Sequence, residues 1–312
     1  MPAFLFLQGA KLWLSWSSVA LEYLAFLPYF AIFGALGFHF FVLPRKPRMT
    51  SDSRSDVLLL ADRGAARVGL IGALLIPISF LATVATNAGA QHLSTIDALL
   101  RAGTRAHARV AFGILLTVAF VLALRSVRGA WLAAVLFAVA FALRDIVTGQ
   151  WTRLVNPLHE VGASLWLGTL LVLVIAGVPA ILRSAASADS RRSLIAEFVT
   201  RFSRVALVGS ALLGLTGITT AWLHLKYVAA LWSTPYGYAL DAKLGVVIIV
   251  VALGAWNWRR ITPNLEAEDS LETEDSIAAL QRSSRIELAF AAIVLLLTAI
   301  LVSLPTPKIP GS

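Results

Sequence analysis

The sequence predicts an all-α polytopic bundle of about eight transmembrane helices, both termini extracytoplasmic, on the strength of three observations. Hydrophobic residues make up 58% of the 312 and charged residues only 14%, whereas soluble domains carry roughly 25% charge. Mean hydropathy is +0.81, and the apolar residues gather into runs long enough to cross a hydrocarbon core, which takes roughly 20 residues of helix. Lys and Arg alternate between rich and poor intervals along the chain, the pattern that sets orientation in a membrane.

Eight apolar runs bounded by charge or Pro fall near 21–43, 66–87, 107–124, 129–149, 154–182, 198–225, 238–258 and 286–304. Each is continuous, without the strict alternation of a barrel strand, and only helices and closed barrels satisfy their backbone in lipid. From Leu12 to Leu43 the apolar stretch exceeds one span. Residues 1–20 therefore read as an interfacial segment using Trp13 and Trp16. Lys11 follows the first hydrophobic residues and no small-residue cleavage site is evident, so a cleaved signal peptide is not expected. Two four-span halves, 21–150 and 151–307, meet near Gly149, Gln150 and Trp151, with a short tail at 308–312. Each half opens with a span ending in Pro and Arg (VLPR at 42–45, VPAILR at 178–183), a weak hint of a parallel repeat.

The odd-numbered connections and span ends hold Arg45, Lys46, Arg48, Arg54, Arg63, Arg67, Arg125, Arg128, Arg183, Arg191, Arg192, Arg201, Arg204, Arg259, Arg260, Arg282 and Arg285. The other side has Lys11, Arg101, Arg105, Arg109, Arg144, Arg153, Lys226 and Lys308. The richer side is cytoplasmic. The acidic run Glu266, Glu268, Asp269, Glu272, Glu274 and Asp275 reads as a solvated cytoplasmic loop and does not reverse this, because the rule counts Lys and Arg.

The net charge of +9 is explained by topology and by anionic lipid headgroups of the surrounding bilayer. No basic, aromatic-interleaved soluble segment exists for nucleic acid. Cysteine is absent, which excludes disulfides and thiolate metal sites. No nucleophile–base pair, phosphate loop or carboxylate dyad is present, so an enzyme is not expected.

Polar groups are costly in lipid, and their placement guides the search for a site. In the sixth span Ser210, Gly214, Gly217, Ala221 and His224 recur at spacings of three and four, which puts them on one face. Small residues there allow a neighbouring helix to approach. The fifth span repeats the construction from its other end: His159, Gly162 or Ala163, Trp166 and Thr169. The two spans are antiparallel, so His159 and His224 are predicted at similar depth, where they could share a metal or a haem. The structural alternative is that each His occupies the polar interface beside Trp166 and Trp222.

His92 and His107 are further outer-side metal candidates, and His39, toward the cytoplasmic end of its span, is the weakest. Span two carries a polar stripe of Ser79, Thr83 and Thr86, with Asn87 beside it. With Thr216 and Thr220 of span six, these residues form a candidate transport path. Hydroxyls in membrane helices also bond to backbone carbonyls or across helices, which is the structural reading. Asp241, Lys243 and Glu287 are candidates for intramembrane charge pairing. Asp241 and Lys243 are two apart and do not face each other; Lys243 is expected to snorkel outward or to meet a carboxylate on another span. Glu287 is expected to meet Arg201 or Arg204.

At span six the sequence becomes recognisable. RFSRVALVGSALLGLTGITTAW (201–222), TPYGYALDAKLG (234–245), Asn257 and Pro263 together resemble the copper-resistance D (CopD) family. HEVGASLWLG (159–168), RIELAF (285–290) and LPTP (304–307) look like the same family, so the resemblance covers roughly 153–307. TRAHAR (104–109) resembles its third-span motif only loosely. The resemblance implies a multi-pass protein of the bacterial inner (plasma) membrane that handles copper, and makes His159 the leading metal candidate; His224 rests on the stripe. The TPYG motif (Thr234 to Gly237) also has a structural reading, Thr as helix cap and Pro in the first turn.

Cu(I) favours sulfur ligands, while imidazole suits Cu(II) and other metals. With no Cys, and methionine only at Met1 and Met49 outside the spans, a thioether ladder is impossible. Three readings follow. The preferred one binds copper on the outer face and supports its transport, uptake or resistance. The second is a b-type haem protein with His159 and His224 as axial ligands. The third is a non-transporting membrane partner of a periplasmic copper-binding protein.

Overall fold

The computed structural model describes residues 15–44, 52–143, 154–225, 227–257, 259 and 270–307. The expected interfacial segment as far as residue 14, the junction near 150–153 and the tail at 308–312 lie outside them.

The elements in order are α1 Trp16–Gly37, α2 Asp52–Ala90, α3 Thr95–Leu100, α4 Thr104–Leu124 and α5 Ala130–Leu143. The second part holds α6 Val155–Leu182, α7 Ala188–Leu225, α8 Ala230–Ser233, α9 Pro235–Trp256 and α10 Ser270–Ser303. Seven of these are long and apolar enough to cross a membrane, and α5 is a shorter apolar helix over its 14 described residues. The chain is an all-α polytopic membrane bundle.

Three expected loops are shorter than hydropathy suggested. The first turns of α2, α7 and α10 run through sequence that is polar and charged. At 1.5 Å per residue, the 39 residues of α2 reach about 58 Å, well beyond the bilayer core. Backbone hydrogen bonding continues in water after hydrophobicity has ended, so the acidic stretch Glu272–Asp275 is helical rather than a loop.

Helix starts follow capping chemistry. Ser94 caps α3 by accepting the Asp97 amide at 3.1 Å. Thr234 accepts the Gly237 amide at 3.0 Å, with Pro235 at the first helical position of α9. The rest of TPYG is structural too. Tyr236 is buried with Leu225, Leu240 and Leu301, and any side chain at Gly237 would strike the carbonyls of Ala230 and Leu231.

The two helices best buried are α1 and α6. They cross where Gly34 meets Gly168, backbone on backbone, with no room for a Cβ on either side. Around them α2, α4, α5 and the N-terminal half of α7 complete one large apolar cluster. Wide turns interrupt the regular helix at Phe38–Val42, Ser164–Gly168 and Leu173–Gly177. The last precedes Pro179, which has no N–H to offer the turn before it. By contrast α9 and α10 are mostly exposed, as is the C-terminal half of α7. Between α6, α7, α9 and α10 lies a second apolar cluster: Trp166, Leu167, Val250 and Ala291, flanked by Phe202 and Phe290.

Candidate functional site

The end of the bundle that holds the start of α6 and the end of α7 is the one the basic residues assign to the outside. There α6 and α7 pack through Gly162 and Gly209. A Cβ on Gly209 would lie 2.9 Å from the Gly162 carbonyl oxygen, and one on Gly162 would lie 3.0 Å from the Leu213 nitrogen. One turn outward, His159 lays its ring on Gly217, where a Cβ would come within 3.2 Å of Cε1. Its Nδ1 lies 3.1 Å from the Thr216 hydroxyl.

The hydrogen-bond roles follow from counting protons. Thr216 has one hydroxyl proton, and it goes to the Leu212 carbonyl at 2.6 Å. The hydroxyl can then only accept from His159, so Nδ1 carries the hydrogen and Nε2 keeps its lone pair. A histidine fixed in this tautomer by a second partner is the form that ligates metals. His224 is fixed the same way, its Nδ1 donating to the Thr220 carbonyl at 2.8 Å.

The two imidazoles do not meet at one depth. His159 sits level with Thr216 and Gly217, and His224 lies seven residues further along α7, roughly 10 Å along the axis. The expectation of equal depth took the hydropathy boundary as the helix end, whereas α7 continues past the level of His159. An ion shared by two imidazoles needs their nitrogens about 4 Å apart, given metal–nitrogen bonds of roughly 2 Å. Haem fits no better. Bis-histidine ligation has the same requirement, and the backbone contact at Gly162 and Gly209 leaves no slot for a porphyrin between α6 and α7.

The contact face of α7 is also rotated from the one expected. Gly209, Leu213, Thr216 and Gly217 face α6, while Gly214 is exposed with nothing within 4 Å of a built Cβ. Lys243 of α9 is near enough to act electrostatically on the His159 imidazole. Among the described residues no group of three or more His, Cys, Asp or Glu side chains forms a metal-binding set. A metal at His159 would complete its coordination with water, hydroxyl or carbonyl oxygen.

The remaining candidates are dispersed. His92, in a left-handed turn after α2, and His107, in the second turn of α4, are exposed. The α2 stripe belongs to the α2–α4 contact: Arg109 of α4 donates to the buried Ser79 hydroxyl at 3.2 Å. Ser79, Thr83 and Thr86 each donate to a carbonyl three or four residues back, and Thr86 and Asn87 are exposed. Thr220, on the His159 side of the bundle, has a buried hydroxyl oxygen without a hydrogen-bond partner. The expected path residues thus occupy two separate places.

Asp241 is exposed and Glu287 is buried. Glu287 accepts a hydrogen bond from the Asn257 side chain, not from Arg201 or Arg204. Arg201 pairs instead with Glu197 at 3.1 Å, and Glu197 also binds Arg54 of α2 at 2.6 Å. Sequence reasoning missed two clusters. Glu287 was a candidate for charge pairing, but its partner Asn257 was visible only as a motif residue. The His39 Nδ1 lies 2.6 Å from an Asp62 carboxylate oxygen, with its ring stacked on Trp131 at a centroid distance of 4.0 Å; these three come from separate helices with no shared spacing to reveal them.

A bundle of apolar helices with isolated polar groups sealed between them is a polytopic membrane protein with an internal polar site. Residues 196–301, from α7 to α10, match the copper resistance protein D (CopD) family. The chain is also similar to the copper transport protein CutJ of Bacillus subtilis (strain 168), at 26% identity over 215 residues. That match covers 65% of this chain but only 37% of the relative, so the chain spans well under half the length of that protein. No solved structure matches the chain. His159 lies outside the family match, but its packing partners Gly217 and Thr216 lie inside it.

Proposed function

We propose that this chain is a non-enzymatic copper-handling protein of the bacterial plasma membrane, taking a copper ion at its outer end and supporting its passage across the bundle in uptake or tolerance. The observation that carries the reading is His159: an imidazole between two close-packed helices, with Thr216 holding Nδ1 as donor so that Nε2 is free to ligate. The similarity to a copper transport protein and to a copper resistance family supports the choice of metal. His224, one helix end further out with the same tautomer, serves as the first point of capture. A periplasmic copper-binding protein would deliver the ion there.

The test compares His159→Ala and His224→Ala with the parent for copper bound per purified chain and copper accumulated by expressing cells. Both quantities should fall for His159→Ala and fall less for His224→Ala. Unchanged values in the double variant would defeat the assignment. The purified protein should show no Soret band; a Soret band lost on His159→Ala would establish the haem reading instead.

A further inference from the structure

Between α6 and α10, toward the end of the bundle that the basic residues assign to the cytoplasm, lies a partly open cavity of about 60 Å³. Leu173, Val178 and Pro179 of α6 wall one side, and Gln281, Ser284 and Arg285 of α10 the other. It falls where the wide turn Leu173–Gly177 and Pro179 interrupt the regular surface of α6. One water needs about 15 Å³ of such space, so the cavity takes a group of several polar atoms.

Its depth matches the phosphate level of a bilayer. From residue 286 to residue 303 the only charged side chain of α10 is Glu287. Eighteen residues separate Arg285 from the helix end at Ser303, a rise of about 27 Å, close to the roughly 30 Å of a hydrocarbon core. With Ser303 at one boundary of the core, Arg285 stands at the other.

The chemistry is that of an anion site. Gln281 and Ser284 bring amide and hydroxyl donors, and the Arg285 guanidinium matches phosphate oxygens in pairs. Two more arginines follow in register, both exposed: Arg282, three residues before Arg285 on α10, and Arg183, one turn after Pro179 on α6. Guanidinium groups gathered at one cavity attract an anion and repel a metal cation, so this is not the inner mouth of a copper path. Glu287, two residues along from Arg285, turns to Asn257 of α9 instead. Arg285 also borders the lipid. Ala289, Ile293 and Leu296 continue its face along α10 at helical spacing, and all three are exposed. A ligand with an anionic head at the cavity and an apolar tail along that face fits both.

We propose that this cavity binds the headgroup phosphate of an anionic phospholipid, with an acyl chain lying along Ala289, Ile293 and Leu296. Basic pockets between membrane helices on the cytoplasmic side take such headgroups. The bound lipid bridges α6 and α10 across a gap that their own side chains leave unfilled. The site is independent of copper and stands whether or not the bundle moves the ion.

The experiment equilibrates the full chain, purified in detergent, with equal amounts of phosphatidylglycerol and phosphatidylcholine and counts the retained lipids by native mass spectrometry. The parent should retain phosphatidylglycerol in preference. In Arg285→Gln that preference should fall about fivefold or more, the equivalent of the roughly 1 kcal/mol that a basic residue contributes at an anionic surface. Arg204→Gln removes the same charge from an exposed position on α7, away from the cavity, and should leave the preference as it was. Ser284→Val keeps every charge and replaces the hydroxyl donor with a methyl group, so it should weaken retention too. A parent without preference, an equal fall in Arg204→Gln and Arg285→Gln, or full retention in Ser284→Val overturns the proposal. Inorganic phosphate separates the two sources of the anion. Phosphatidylglycerol should raise the unfolding midpoint of the parent and not that of Arg285→Gln. A midpoint raised equally by inorganic phosphate at the same concentration gives the cavity to a soluble oxyanion and overturns the lipid.

Discussion

Gly209→Ala adds one methyl group at the tightest point between α6 and α7. The new Cβ would stand 2.9 Å from the Gly162 carbonyl oxygen, 3.0 Å from the Trp166 nitrogen and 3.2 Å from the Trp166 Cβ. Two of these three are backbone atoms and cannot swing aside, so the helices must separate. Overpacking of this kind costs about 1–3 kcal/mol. Gly214→Ala, five residues along the same helix, meets nothing within 4 Å. It should gain part of the roughly 1 kcal/mol by which Ala exceeds Gly in helix propensity. The two variants have identical composition and opposite expected signs. Thermal unfolding in detergent, read as the surviving monodisperse fraction by size-exclusion chromatography, should give a lowered midpoint for Gly209→Ala and an unchanged or raised one for Gly214→Ala. Equal midpoints would refute the seam. Midpoints in reverse order would restore the face through Ser210 and Gly214 that periodicity alone suggests.

Thr216→Val keeps the shape of the α7 face but removes the acceptor that fixes the His159 tautomer. Loss of such an outer-sphere partner typically costs about 10–100-fold in metal affinity, and a copper titration of the purified variant should show a drop of that order without loss of the fold. Asp62→Asn weakens the contact that joins the end of α1 to α2 through His39. A hydrogen bond to a charged group contributes about 1.5–3 kcal/mol, so the unfolding midpoint should fall while copper binding at the far end of the bundle stays as it was.

The fold class was legible because hydropathy acts over twenty residues at a time, and eight apolar runs leave little else for the chain to be. Helix ends were less legible. The start of α2 at Asp52 and of α7 at Ala188 depends on backbone hydrogen bonding, which continues through polar sequence where hydropathy has stopped. The facing of α7 was hidden for a different reason. In water an apolar stripe marks the buried side, but in lipid both sides are apolar and small residues alone must signal contact. This helix has glycine on both sides: Gly209 and Gly217 meet α6, and Gly214 meets none of it. His159 was readable as a candidate. Its partner required the structure, since Thr216 lies 57 positions away on another helix.

The available donors limit what copper chemistry this bundle can perform. The outer end offers imidazole nitrogen at His159 and His224, backed by hydroxyl and carbonyl oxygen. The inner end offers the oxygens of Glu287 and Asn257. Between them stands an apolar plug of Trp166, Leu167, Val250 and Ala291, without a polar group to hold an ion. The chain has no cysteine and no methionine within a span, so the sulfur ladder that would hand Cu(I) along in tight, closely spaced steps is absent. On the proposed reading, an ion crossing here would leave a nitrogen site, pass a dry segment and arrive at an oxygen site, and each of those steps would weaken its hold. The plug would then have to open for passage. The helices that line it on one side, α9 and α10, are mostly exposed, whereas α1 and α6 are locked together at Gly34 and Gly168. Movement of α9 and α10 against a fixed α1–α6 pair would open the plug while disturbing the fewest packed contacts. A cross-link between α9 and α6 on either side of Trp166 should then stop copper passage and leave copper binding at His159 intact.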